Sequence, residues 1–281
     1  MTQRKLYSEI LPSRSLFSVD LRELVRYSDL LFMFVRRDFV ATYKQTILGP
    51  IWFFIQPIIS SFVFFIVFNQ FGKIPTDGIP PYLFYLAGLT AWNYFSTCLT
   101  STSNVFVGNA GIFGKVYFPR LITPLSIVIS NLIKFGIQLL LFLMFYVFYL
   151  VNGASFSPNI YILLLPFLIL IMAGLGLGFG LAISALTTKY RDLTFLLAFG
   201  IQLLMYATPV IYPLSQIPVQ YQFYMKLNPM TGIIETFKTG FFGTSSVDWF
   251  MLGYSFVFMV IMLFAGVLIF NKTEKNFMDT V

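Results

Sequence analysis

The groups that do acid–base, nucleophilic or metal chemistry are scarce in this chain. It has no histidine, a single cysteine (Cys98), and no Asp or Glu anywhere in the 114 residues between Asp77 and Asp192. Proton relays and cation-coupled pumps place carboxylates or histidines at membrane depth. An enzyme acting on lipid-borne substrates needs an acid or a base there too. One cysteine excludes an internal disulfide and a thiolate metal cluster. The glycines at 174, 176, 178 and 180 lie in a continuous apolar run with no βαβ context, so they are not a nucleotide loop. Gly174 with Gly178, and Gly176 with Gly180, read instead as small-xxx-small pairs that let helices approach closely. No Walker A sequence occurs, so the chain does not hydrolyse ATP by that route. The energy source has to be sought outside these residues.

The elements that would position any site are membrane spans. The chain is 58% apolar and 10% charged, with a mean hydropathy of +0.81. A soluble domain is nearer half apolar and a quarter charged, so this is an integral membrane protein, with no room expected for a large soluble domain. A span needs about 20 apolar residues. Six stretches qualify, at roughly 51–71, 81–103, 129–151, 160–186, 193–213 and 249–270, which predicts an all-α six-span fold. The organisation expected is a cytoplasmic N-terminal region over 1–50, a permease-like membrane domain over 51–270 and a cytoplasmic tail over 271–281. Of the 18 Lys and Arg residues, fourteen fall in 1–50, 104–128, 187–192 and 271–281, against three in the opposite loops. That bias places both termini in the cytoplasm. It also accounts for the net charge of +7 without nucleic acid as a partner. Residues 1–28 are largely polar, so no cleaved signal peptide is expected. The remaining base, Lys134, lies in an apolar run (121–151) longer than a bilayer requires. It is expected to snorkel to the inner headgroups, with contact to an anionic substrate as the alternative.

Three segments are not spans. Over 20–45, Arg22, Arg26, Asp29, Arg36, Arg37 and Lys44 project within one arc of about 100°, with Leu24, Leu31 and Val35 opposite. Asp20 and Glu23 offer a helix start resembling a capping box. Asp38 intrudes on the apolar arc, and Met33 and Val40 on the polar one. A basic amphipathic helix lying along the inner membrane surface is expected. The loop 104–128 holds Gly111, Ile112, Phe113, Gly114, Lys115 and Tyr117, too apolar for a solvated linker; a protein-contact knob is one reading, a loop packed on its own bundle the other. The stretch 214–248 carries Lys226, Glu235 and Lys238 and is expected to form short re-entrant or surface helices on the outer side.

Arg36-Arg37-Asp38, Tyr43-Lys44-Gln45-Thr46-Ile47-Leu48-Gly49-Pro50-Ile51-Trp52 and Gln56-Pro57 resemble the N-terminal signature of bacterial polysaccharide-exporter permeases. These are the membrane subunits of type 2 ABC exporters for O-antigen, teichoic acid and capsule. Lys115 to Arg120, ending Phe118-Pro119-Arg120, resembles the cytoplasmic loop of that family. Tyr212-Pro213, Leu227-Asn228-Pro229-Met230 and Glu235 resemble its outer hairpin. The three motifs lie in order, so the resemblance covers nearly the whole chain. It implies an inner-membrane homodimer working with two copies of a separate ATPase subunit, which would bind the ATP and Mg; this chain would need no cofactor. It implies an interface helix containing Arg36 and Arg37. It also implies a coupling helix within 104–120, carrying Ile112, Phe113, Lys115 and Tyr117, and an outer gate within 214–240, with Tyr212, Pro213, Asn228, Pro229 and Glu235 assigned to the gate. The cargo implied is a lipid-linked polysaccharide, with O-antigen preferred over teichoic acid or capsule.

A sugar polymer is polar at its edges and apolar on its ring faces, so its passage should mix hydrogen-bonding groups with aromatic platforms. Trp52, Gln56, Ser60 and Gln70 project within about 80° of one another on the first span, with Phe54, Phe62 and Phe65 away from them. On the fifth span Phe195, Phe199, Gln202 and Tyr206 share a face. These stripes are the expected channel lining. A secondary transporter without ATP would want an internal repeat, and an intramembrane enzyme would want acid–base groups at depth; neither is evident. Copurification of a Walker A ATPase needed for transport separates the three.

Overall fold

The structure is a computed structural model describing residues 21–44, 46–243 and 246–277. Asp20, expected to start the first helix, lies outside the described residues, as does Gln45 of the N-terminal signature. All regular structure among the described residues is helical.

The N-terminal segment forms α1 (Leu21–Arg26) and α2 (Ser28–Tyr43), broken at Tyr27. Leu24 and Leu31 are half-buried and Phe34 and Val35 buried, while Arg22, Arg26, Asp29, Arg36 and Lys44 are exposed. The amphipathic pattern is therefore real, but its apolar face is spent on the chain's own bundle. α2 packs along α6 (Ile122–Val151).

Next comes α3 (Trp52–Phe64), led in by a 3-10 turn at Gly49–Ile51 and prolonged by a π-helical stretch at Phe65–Phe71. The π geometry changes the angular step per residue, so a projection at 100° fails beyond Phe64. The place of Gln70 on the stripe therefore no longer follows from the sequence pattern. Pro57 sits inside the helix and is buried.

α4 (Pro81–Ser103) starts with Pro81 in its first turn, where a missing N–H costs nothing. It is the centre of the bundle, touching α3, α6, α7 (Leu165–Lys189), α8 (Leu193–Tyr206) and α10 (Pro229–Phe242). α5 (Val105–Phe113) follows directly, so the first part of the expected loop 104–128 is helical. The rest of that loop shortens because α6 begins at Ile122 and runs 30 residues, longer than a bilayer needs, as the apolar run implied. A short helix α9 (Val219–Lys226) precedes α10, and α11 (Trp249–Phe277) closes the chain.

The glycine pairs act as spacing predicted. On α7, Gly176 and Gly180 face α4: an added Cβ would lie 2.6 Å from Cys98 Cβ and 2.5 Å from Thr102 Cβ. Gly174 and Gly178 face α11, with Met259 Sδ at 2.5 Å and the Met262 carbonyl carbon at 2.7 Å from the same construction. α7 is thus clamped between α4 and α11 by glycines on two opposite faces.

Four helical stretches are long and apolar enough to cross a membrane: Gly49–Phe71, Ile122–Val151, Ile160–Lys189 and Trp249–Glu274. The other two expected spans differ from these for physical reasons. α4 has 23 residues but is less apolar than these, with Ser, Thr and Asn along its second half, which its enclosure by neighbouring helices makes tolerable. α8 is apolar but only 14 residues long.

Candidate functional site

The chain's unusual surfaces fall into three zones. The first is formed by α3 and α8, which both touch α4 but bury little of themselves. Ile201 is the one buried residue of α8, and α3 buries only Pro57 and Ser61. Trp52, Gln56, Phe199, Gln202 and Tyr206 are exposed and Ser60 is half-exposed. Gln70 is exposed as well, so none of the expected lining residues is closed off within the chain. Phe62 and Leu196, which belong to neither stripe, are exposed too, so openness alone does not single out the stripes. An amide on a span cannot be satisfied by lipid tails, so Gln56 and Gln202 require protein or water opposite them.

The second zone is a knot at the end of the bundle where α2, α5, the beginning of α6 and the end of α11 meet. Phe34, Phe106, Phe113, Phe118, Ile122 and Phe270 form a buried cluster there. Phe106 stacks on Phe270 at 4.6 Å, and Phe118 lies 5.6 Å from Phe34 and 5.8 Å from Phe113, ring centre to ring centre. Polar ties surround the cluster. Arg37 Nε donates to Asp38 Oδ1 at 2.8 Å, and its Nη2 reaches Asn109 Oδ1 on α5 at 3.5 Å. Ser126 Oγ on α6 donates to Asp38 Oδ2 at 3.2 Å. Arg120 is buried, donating to the carbonyl of Glu274 at 2.9 Å and lying over the Phe113 ring.

This knot alters the reading of the coupling segment. Phe113 is 3% exposed, a core residue and not the tip of a knob. Ile112 is half-buried, whereas Lys115, Val116 and Tyr117 are exposed. The exposed part of this segment is thus Lys115–Tyr117, with the buried rings behind it. Of the two arginines expected at an interface, Arg36 is exposed and Arg37 is engaged inside the knot.

The third zone is the opposite end. Asn228 caps α10, its Oδ1 accepting from the backbone of Met230 at 3.0 Å, with Pro229 in the first turn and Gly243 in the left-handed conformation at the C-terminal end. The Asn-Pro pair is thus a helix start. Asn228 Nδ2 also donates to the Ala207 carbonyl at 3.2 Å, and the Tyr212 hydroxyl donates to the Tyr206 carbonyl. Pro213 is buried in the connecting turn. Tyr212 also borders an open cavity of about 410 Å³ between residues 72–75 and 216–218. Glu235 Oε1 is buried without a hydrogen-bond partner among the described residues. α10 is too short to span. On it, burial chiefly raises the pKa of Glu235 and lowers that of Lys238, and the opposite charge of each resists both shifts.

Residues 29–242 match the family described as ABC-2 type transporter, which takes in most of each zone but not the end of α11. The chain belongs to this ABC-2 family. It is 28% identical to the O-antigen export system permease protein RfbA of Myxococcus xanthus over 265 residues, covering 92% of this chain and 98% of that one. A protein of the same description from Klebsiella pneumoniae is 28% identical over 89% of this chain and 94% of its own. The polysialic acid transport protein KpsM of Escherichia coli is more distant, 22% identical over 81% of this chain and 87% of its own.

Within this ABC-2 chain, Asp38, Arg120 and Lys238 have partners elsewhere in the fold that the sequence pattern does not name. Asp38 carried a signal: it breaks the apolar arc of α2 because it points at Ser126. Lys238 carried one too, as the one base of α10. Arg120 gave no signal of burial, since its partner on α11 is 154 residues away.

Proposed function

We propose that this chain is the membrane permease subunit of an exporter that moves a lipid-linked polysaccharide, of O-antigen type, across the bacterial inner membrane. The observation that carries this reading is the full-length similarity to O-antigen export permeases within the ABC-2 family. Energy comes from ATP hydrolysed by a separate ATPase subunit, consistent with a sequence that has neither a Walker A motif nor acids between Asp77 and Asp192. The partner docks at the knot end through Lys115–Tyr117 and the exposed face of α2 with Arg36. The gathering of α2, α5 and the end of α11 at one end supports assigning those segments, and both termini, to the cytoplasmic side.

In this reading α4 and α8 complete six crossings, α4 being long enough at about 1.5 Å per residue and α8 extended by the turns that follow it. Two copies meet about a two-fold axis with α3 and α8 toward it, so that Trp52, Gln56, Ser60, Phe199, Gln202 and Tyr206 face a shared passage. A two-fold arrangement supplies the second wall that one chain lacks. Tyr212, Pro213, Asn228, Pro229 and Glu235 belong to the outer closure.

The test is reconstitution with the cognate ATPase in inverted vesicles loaded externally with a defined lipid-linked glycan. ATP-dependent appearance of glycan in the lumen is the expected result. A purified complex that hydrolyses ATP but translocates no glycan of any O-antigen, teichoic or capsular class overturns the reading. A monomeric permease in the functional complex, seen by native mass spectrometry, overturns the two-fold passage.

A further inference from the structure

α8 is held in an unusual way. Along its length it buries only Ile201, so lateral packing within the chain does little to set its angle. Directly after its last turn the chain is pinned: Thr208, Pro209, Val210, Ile211 and Pro213 are all buried. Val210 lies so close to α4 that a Cβ at Gly88 would stand 3.1 Å from its Cα. Two carbonyls in this turn are taken by side chains of one neighbouring helix, α10. Asn228 holds Ala207, and the Lys238 ammonium donates to Pro209.

Lys238 is buried at 4% exposure, and its Nζ lies 3.2 Å from the centre of the Phe84 ring on α4. An ammonium taken out of water is costly unless its hydrogen bonds and charge are met. Here it meets a carbonyl just beyond the C-terminal end of α8, where unpaired carbonyls and the helix dipole favour a cation, and an aromatic face. Three elements, α4, α8 and α10, therefore converge on one nitrogen.

We propose that Lys238 is a positioning residue of the export path: it fixes the outer end of α8 against α4 and α10, making α8 a lever anchored at one end. This rests on the transport reading above, in which Phe199, Gln202 and Tyr206 line the passage. Lys238 touches no polymer. It acts by setting where those side chains stand, and α8 reorients about the turn 207–213 as the passage opens.

The competing role for Lys238 is charge balance for Glu235, one turn earlier on α10. Two variants separate the roles: Lys238→Met, which keeps a similar chain length without charge, and Lys238→Met combined with Glu235→Gln, which removes both charges. Each is assembled with the ATPase in lipid nanodiscs for hydrogen exchange and in vesicles for export. The proposal expects exchange over 203–212 to rise at least several-fold in both variants, with the α7 segment 171–184 unchanged. It expects export per ATP hydrolysed to fall at least several-fold in both. Rescue of exchange and export by the double variant overturns the proposal in favour of charge balance. Unchanged exchange over 203–212 in Lys238→Met overturns it outright. If Lys238→Met does not insert, Phe84→Leu keeps the ammonium and removes the ring, and must loosen the same segment for the proposal to stand. If wild-type protein exports nothing in these vesicles, the transport reading falls, and the exchange measurement alone decides whether Lys238 anchors α8.

Discussion

Asp38 on α2 accepts a hydrogen bond from the Ser126 hydroxyl on α6 at 3.2 Å, and the same carboxylate pairs with Arg37, whose Nη2 comes within 2.7 Å of Oδ1. One side chain thereby links the N-terminal helix to a membrane span and, through Arg37 and Asn109, to α5. A partner pressing on α2 or on the segment after α5 pushes on a cross-braced unit.

Asp38→Ala removes that brace and leaves Arg37 without its carboxylate. The expected loss is about 1–3 kcal/mol of stability, the range for a broken charged hydrogen bond, read as a lower melting temperature in detergent. ATP hydrolysis by the assembled complex is expected to persist while glycan export falls. Full coupling in Asp38→Ala, with unchanged melting, would falsify the brace.

Tyr117 and Phe113 separate docking from packing. Tyr117→Ala truncates a ring that is 75% exposed, so the permease should melt normally yet retain less ATPase on copurification. An interface anchor of this kind is worth about 2 kcal/mol or more. Phe113→Ala empties a core site and should cost about 3–5 kcal/mol of stability. Reversed results, with Phe113→Ala folding well and losing only the ATPase, would show that the knot opens on assembly.

The passage faces are tested by Gln56→Leu and Gln202→Leu. Both keep roughly the same volume and should leave insertion and ATP hydrolysis intact while export drops. Phe62→Leu, on an exposed position away from the first stripe, is the control and should change export little. Equal losses at all three positions would remove the distinction between stripe and flank.

Glycine spacing gives a contrast independent of transport. Gly176→Ala forces a methyl group to within 2.6 Å of Cys98 Cβ, and overpacking of this kind costs about 1–3 kcal/mol. Gly200→Ala on α8 meets nothing within 4 Å, so the gain in helix propensity should leave stability unchanged or slightly higher. Thermal unfolding of the two purified variants decides it; similar melting temperatures would mean that α4 and α7 are not in contact as described.

Much of this protein is set by its sequence because the solvent is a bilayer. Long apolar runs must become helices, since no other single segment satisfies its backbone in lipid, and α6 and α11 follow from that alone. The glycines of α7 declare close packing because nothing else fits between two helix axes. The ordered motifs pointed to the family. Tertiary structure decided the rest, wherever burial depends on a partner distant in the chain. Phe113 is apolar whether in a loop or on a helix; only Phe106, Phe118 and the end of α11 make it core. Gln70 is on or off a stripe according to a π turn that no periodicity rule registers. Arg120 and Lys238 look like solvated charges until Glu274, Pro209 and Phe84 arrive from other elements, because a charge is buried only where the fold brings its counterpart.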